Sequence, residues 1–121
     1  MTDDDVQSLV DEATFDYVSG EPALALEKLG RATVASPASF EAWHAVAEIN
    51  LGLRRLDDAL AAGERAYALR PTDPLAIATL SRTWMERGDK AKAEHFGALA
   101  RVQSWKDELT APPPADAGGL H

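Results

Sequence analysis

The sequence predicts an all-α fold of three tandem helix-turn-helix repeats, and two observations carry that prediction. Small residues recur at a lag of 34 positions, as in the column formed by Ala25, Ala59 and Ala93. Between such columns, apolar residues follow the three- and four-residue spacing of a helix, interrupted by Gly, Pro and helix-capping residues. Self-similarity at a fixed lag is typical of repeat proteins, in which each repeat buries its apolar face against its neighbour.

Further columns at the same lag set the predicted boundaries. They are Ala32, Ala66 and Ala100; Leu9, Trp43 and Ile77; and Ala13, Ala47 and Ser81. The predicted organisation is an acidic N-terminal tail at 1–5, a repeat domain at 6–109 with repeats at 6–39, 40–73 and 74–107, and a flexible tail at 110–121. The last segment contains Pro and Gly and has little apolar surface to bury, which favours flexibility.

Capping residues divide each repeat into two helices. Asp73 followed by Pro74 is typical of a helix start, and Gly88 followed by Asp89 is typical of a stop and a new start. Ser39 is a further N-cap candidate. The predicted helices lie near 5–18, 22–35, 39–52, 56–69, 74–87 and 90–109.

Helix packing explains why small residues recur in the alanine columns. Two helices approach closely only where the side chains at their crossing are small. The column that starts at Ala25 is expected to mark the contact inside each hairpin. The column that starts at Ala32 is expected to mark the contact with the next hairpin. A large side chain at either place would overpack the crossing, at a cost of about 1–3 kcal/mol.

Composition narrows the classes of partner. The chain has 121 residues, no Cys and a formal net charge of −8. Phosphate binding depends mainly on Lys and Arg, so no nucleic-acid partner is predicted. No apolar run is long enough for a membrane span and no secretory signal is recognisable, so a cytoplasmic location without membrane contact is expected.

The columns together resemble the signature of tetratricopeptide-repeat (TPR) proteins over residues 6–107, and no specific protein of that family is identified. The second repeat carries the resemblance best, with Trp43, Ala47, Ala59, Ala66 and Pro71 at the family's spacings. The resemblance implies a right-handed α-solenoid of six helices that acts through protein–protein interaction.

Two residues depart from the family's pattern. Glu12 stands where a large apolar residue is usual, which suits an atypical first repeat with one face in water. Arg54 stands where Gly usually ends the first helix, and a left-handed conformation there would cost about 1–2 kcal/mol. The alternative is that Gly52 absorbs the turn.

The resemblance further implies that the first helix of each repeat lines a concave groove that binds a protein or peptide. The residues expected to bind the partner are Gln7, Val10, Asp11, Thr14, Tyr17, Glu41, His44, Glu48, Leu51, Leu75, Ala78, Arg82 and Met85. This mixture of acidic and apolar side chains favours a basic peptide with one or two apolar anchors. The alternative for any single residue is an ordinary solvated face. The predicted function is an adaptor or chaperone-like module.

Catalytic and metal chemistry find little support in the sequence. Glu41, His44 and Glu48 share one helical face and could present ligands to a divalent metal, but this spacing is common on exposed helices. No nucleophile motif or phosphate-binding loop is recognisable. The chain is therefore predicted not to be an enzyme and to use no cofactor or metal.

The last helix offers a second functional hypothesis. Val102, Trp105 and Leu109 recur at helical spacing beyond the third repeat, and Pro112 leaves no room for a polar capping helix. Repeat arrays usually need such a cap. The apolar face is therefore expected to pair with a second copy, dock a partner or be covered by the tail. The alternative function is self-assembly, for instance as a homodimer.

Overall fold

A computed structural model describes residues 1–110 and contains six α-helices in that part of the chain. They are α1 (Asp3–Val18), α2 (Pro22–Ala35), α3 (Phe40–Gly52), α4 (Leu56–Leu69), α5 (Pro74–Glu86) and α6 (Lys90–Thr110). The all-α prediction is confirmed, and each observed boundary lies within two residues of the predicted one. The predicted flexible tail lies outside the described residues except for Thr110, which ends α6.

Side-chain caps start three of the helices where the sequence predicts them. Ser39 Oγ accepts a hydrogen bond from the Ala42 amide at 3.1 Å at the start of α3. Asp73 Oδ1 accepts from the Leu75 amide at 2.9 Å, ahead of the proline that opens α5. Asp89 caps α6 in the same manner. Each cap satisfies an amide that the first helical turn leaves without a partner.

The segment predicted as an acidic N-terminal tail lies largely within a helix, because α1 begins at Asp3. The Thr2 hydroxyl accepts a hydrogen bond from the Asp5 amide at 3.1 Å, and Asp5 Oδ2 accepts from the Thr2 amide at 2.9 Å. This reciprocal arrangement is a capping box. The hydrogen bond from the Thr2 backbone lowers the pKa of the Asp5 carboxyl. Three aspartates, Asp3, Asp4 and Asp5, lie in the first turn of α1, where the positive end of the helix dipole attracts negative charge.

The two alanine columns lie at helix crossings, as predicted. Ala25, Ala59 and Ala93 are buried inside their hairpins, and Ala32 and Ala66 are buried against the following repeat. Ala100 is only half-buried, because within residues 1–110 no helix packs on the far side of the third repeat. Burial along the column of Ala32, Ala66 and Ala100 therefore decreases at the last repeat, as expected when each repeat packs only against its neighbours.

The packing of the helices makes one side of the stack concave. The first helices lie side by side, with α3 in contact with both α1 and α5. Among residues 1–110, the backbones of the second helices α2, α4 and α6 do not approach one another in this way. Because the first helices are closer together than the second helices, the wall that α1, α3 and α5 form curves inward.

Candidate partner-binding groove

The groove is the solvent-facing surface of α1, α3 and α5, and it holds most of the predicted residues. Gln7, Asp11 and Thr14 are exposed on α1. The other exposed or half-buried members are Tyr17, Glu41, His44, Glu48, Leu51, Leu75, Ala78, Arg82 and Met85. Val10 differs from the prediction: it is 7% exposed and belongs to the core, so it supports the wall from beneath.

A polar network joins α3 to α5 in the middle of the groove. Arg82 Nη2 lies 2.7 and 2.5 Å from the two carboxylate oxygens of Glu48. The buried Thr79 hydroxyl lies 3.1 Å from Glu48 Oε2 and 3.1 Å from His44 Nε2. The Thr79 hydroxyl has a single proton, which it donates to the Glu48 carboxylate or to a backbone carbonyl of α5. It therefore accepts a hydrogen bond from His44 Nε2–H. Thr79 lies outside the predicted partner-binding set.

Apolar surface is concentrated beyond this network, toward the ends of α3 and α5. Leu51 and Met85 line a hollow of about 170 Å³ together with Arg54, Arg82 and Glu86. Met85 is 51% exposed although it is large and apolar. Arg54 and Glu86 form an ion pair at the rim. The hollow can therefore take an apolar side chain while charged groups surround its mouth.

The α1 side of the groove has a different character. Asp11 Oδ1 accepts a hydrogen bond from Gln7 Nε2 at 3.0 Å, and within residues 1–110 no Lys, Arg or His forms an ion pair with Asp11. Tyr17 is half-buried and lies over Gly52 of α3, where an added Cβ would sit 2.1 Å from the Tyr17 hydroxyl oxygen. Gly52 thus has a packing role: it lets Tyr17 approach α3.

Comparison with known proteins decides the fold. No protein-family sequence model matches the chain, and no curated protein matches it. The solved structure of MamA AMB-1 (crystal form P212121), a TPR-type protein, is similar with a TM-score of 0.74 and 17% sequence identity. The similarity covers 98% of this chain and 61% of that chain. The chain has a TPR-like repeat fold.

The acidic and imidazole side chains at the centre of this groove contact neighbouring polar groups. Glu48 is occupied by Arg82, His44 faces Thr79, and Glu41 Oε1 lies 3.1 Å from Arg70 Nη2. Arg70 and Arg82 thus engage Glu41 and Glu48, and the Thr79 hydroxyl lies between Glu48 and His44. The described part of the chain contains no cluster of three or more His, Asp and Glu side chains suited to a metal.

The TPR-like domain also leaves a large part of α6 uncovered. Of its 21 residues, all within the described range, Ala93 is the one that is buried. Val102, Trp105 and Leu109 are exposed, and Trp105 is 62% exposed. No helix among residues 1–110 is long and apolar enough to cross a membrane.

Proposed function

We propose that this chain is a protein–protein interaction module, an adaptor or chaperone-like protein, that binds a peptide segment in the groove. The observation that supports it best is the adjacency of an acidic α1 side and an apolar hollow between α3 and α5. A short peptide can contact both, because α3 packs against α1 and α5. Grooves that combine charge with an apolar pocket are typical of peptide recognition.

The distribution of charge indicates where the basic and the apolar residues of the proposed peptide would bind. Arg70 and Arg82 compensate the acidic groups Glu41 and Glu48 within the wall. The negative charge that remains for a ligand lies on α1, at Asp11 and at the start of the helix. A bound peptide is therefore expected to place basic residues along α1 and an apolar anchor in the hollow at Leu51.

The proposal gives the groove no catalytic role. Among the titratable side chains in its centre, Glu48 is paired with Arg82, and His44 contacts the Thr79 hydroxyl. The proposal also includes a cytoplasmic location, which localisation of a fluorescent fusion in the native host would test.

The experiment is a peptide-display selection against the wild-type protein, followed by calorimetric titration of the enriched peptides. We expect basic peptides with one or two apolar residues. Met85→Asp places a charge in the hollow and should weaken binding about tenfold or more, since hot-spot residues dominate such interfaces. Val34→Asp is the matched control, because Val34 is 83% exposed on α2, away from the groove.

Two outcomes would contradict the proposal. One is a selection that enriches no sequence class above a scrambled library. The other is a set of enriched peptides that bind the Met85→Asp and Val34→Asp variants equally well, since the binding surface would then lie elsewhere. Circular dichroism of both variants would establish that a loss of binding is not a loss of fold.

Self-association through α6 is a second candidate function, and the exposure of its apolar side chains favours it. Val102, Trp105 and Leu109 lie on one side of α6, away from the face that carries the buried Ala93. Exposed apolar patches of this kind often mark interaction sites. A protein that pairs through α6 would keep its groove free, so the two functions are compatible.

A further inference from the structure

The exposed side of α6 has the repeat of a two-stranded coiled coil. Its residues follow alternating steps of three and four positions: Ala91, His95, Ala98, Val102, Trp105 and Leu109. All six are exposed in the structure. The buried side of α6 is a different face, centred on Ala93. One face of the helix therefore completes the third hairpin, while the other has the 3-4 spacing of helices that pack on a partner helix.

We propose that α6 pairs antiparallel with α6 of a second copy, in the register that sets Val102 against Trp105 of that copy. The proposal rests on the self-association function above and is independent of the groove. The resulting dimer has twofold symmetry and is closed, since each copy contributes the same surface.

Side-chain volume favours the antiparallel arrangement. In this register the interface has four layers. Ala98 and Val102 of one copy lie against Leu109 and Trp105 of the second copy, and by symmetry Trp105 and Leu109 of the first copy lie against Val102 and Ala98 of the second. Each layer thus joins a small residue to a large one, which fills space evenly. A parallel pair would instead stack Trp105 on Trp105 and leave Ala98 facing Ala98, so one layer would be overpacked and another empty.

The flanking charges favour the same arrangement. Arg101 and Glu108 occupy the same flanking position of successive heptads. In the antiparallel register, Arg101 of one copy lies next to Glu108 of the second copy, and Glu108 of the first copy lies next to Arg101 of the second. Symmetry makes two such ion pairs. A parallel pair would bring Arg101 next to Lys106, and that like-charge contact is unfavourable.

The geometry of the repeat domain leaves this surface accessible. α6 has 21 residues and its hairpin partner α5 has 13, so α6 extends past α5. The extension carries Trp105 and Leu109. It lies beyond the start of α5, at the opposite end of the third hairpin from Met85, which is next to the turn. A four-layer contact is small, and interfaces below about 1,200 Å² in total are generally weak, so the dimer is expected to form reversibly.

Sedimentation of the full-length protein over a concentration series, up to about 100 µM given the weakness expected of a small interface, tests the association itself. Wild type should shift from monomer to dimer. Trp105→Glu should weaken the dimer about a hundredfold, as loss of a central aromatic anchor does. Val34→Glu, on an exposed position of α2, should leave it unchanged. A wild-type monomer at every concentration would overturn the proposal and would leave peptide binding in the groove untouched.

Charge reversal and cross-linking test the register. Arg101→Glu and Glu108→Arg should each weaken the dimer about tenfold, and the double variant should restore it, because the pairs re-form with inverted sign. The chain has no Cys. A mixture of the Arg101→Cys and Glu108→Cys variants should therefore form a disulfide between positions 101 and 108 of two copies. A dimer that lacks this cross-link, or a double variant no better than the single ones, would overturn the antiparallel register.

Discussion

Arg54 holds a backbone conformation that glycine holds at the equivalent turns of the other two repeats. Its φ is 64°, and the φ values of Gly20 and Gly88 are 87° and 86°. A residue with a Cβ is strained there by about 1–2 kcal/mol. Arg54 also forms an ion pair with Glu86. Because both side chains are largely exposed, this pair contributes little to the stability of the fold.

Arg54→Gly is therefore expected to raise the free energy of unfolding by about 0.5–1 kcal/mol, the strain relief less the entropy that glycine costs in the unfolded chain. Chemical denaturation measures it. Gly88→Ala is the matched control and should destabilise by about 1 kcal/mol, since it creates the strain that the first variant removes. A destabilised Arg54→Gly protein would mean that the ion pair to Glu86 outweighs the strain.

The sequence predicted this turn only as one of two alternatives. The lag of 34 residues aligned Arg54 with Gly20 and Gly88, which predicted a left-handed conformation at Arg54. Gly52, two residues earlier, was the alternative residue that could form the turn. The structure assigns the left-handed conformation to Arg54 and places Gly52 in the last turn of α3, beneath Tyr17. A packing role of this kind depends on a neighbouring helix, so the local sequence around Gly52 could not predict it.

α1 and α2 are joined by a charged contact that explains the other departure from the repeat pattern. Lys28 Nζ lies 2.8 Å from Oδ2 of Asp16, which is 9% exposed, and 3.4 Å from Oε1 of Glu12. Glu12 thus extends an ion pair on the side of the first hairpin that faces away from α3, where no helix among residues 1–110 would cover a large apolar residue. The contact with Asp16, and less strongly that with Glu12, raises the pKa of the Lys28 ammonium.

Folding raises the pKa of Lys28, so the charged form of Lys28 stabilises the folded state. This stabilisation is complete at pH values below the pKa of an unfolded lysine. It is lost as the pH rises past the pKa that Lys28 has in the folded protein. We expect the melting temperature to fall as the pH rises above about 10, where lysine begins to titrate. Lys28→Met should have a lower melting temperature at neutral pH, since it leaves Asp16 buried and unpaired.

The same variant should also lose the part of the alkaline dependence that belongs to Lys28. Thermal unfolding of both proteins across this pH range measures the difference. Lys106→Met is the control, because Lys106 is exposed on α6 and forms no ion pair among the described residues. Parallel pH curves for wild type and Lys28→Met would show that the contact contributes nothing.

The helices themselves were predictable because their signals are local. Ser39 and Asp73 cap where capping chemistry requires, and the burial of the alanines follows from their lag. The pairing of groove charges was not predicted, although one signal existed. Glu48 and Arg82 are separated by 34 positions, which is the repeat lag, so they occupy equivalent places on adjacent first helices. Opposite charges one lag apart therefore predict an ion pair across the groove.

Over the whole molecule, the two junctions between repeats differ in chemistry. Arg82 pairs with Glu48, and Arg87 pairs with Asp57, so charged contacts cross from the second repeat to the third. The first junction is mainly apolar, and residues of α1, α2 and α3 form one continuous core cluster there. The domain thus combines a tightly packed N-terminal half with a third repeat that is held in part by charges at its surface.

The open end of the stack leads to a prediction that compares two equivalent alanines. Ala66 is buried against α5, whereas Ala100 is half-buried on the side where a fourth repeat would pack. Ala66→Leu should overpack a closed crossing and lower the free energy of unfolding by about 1–3 kcal/mol or more. Ala100→Leu should change it by less than about 0.5 kcal/mol, because the added side chain can turn toward solvent. Urea denaturation of both variants measures the difference. Equal costs at the two positions would mean that the far side of the third repeat is covered, and the description of α6 as an open end would then be wrong.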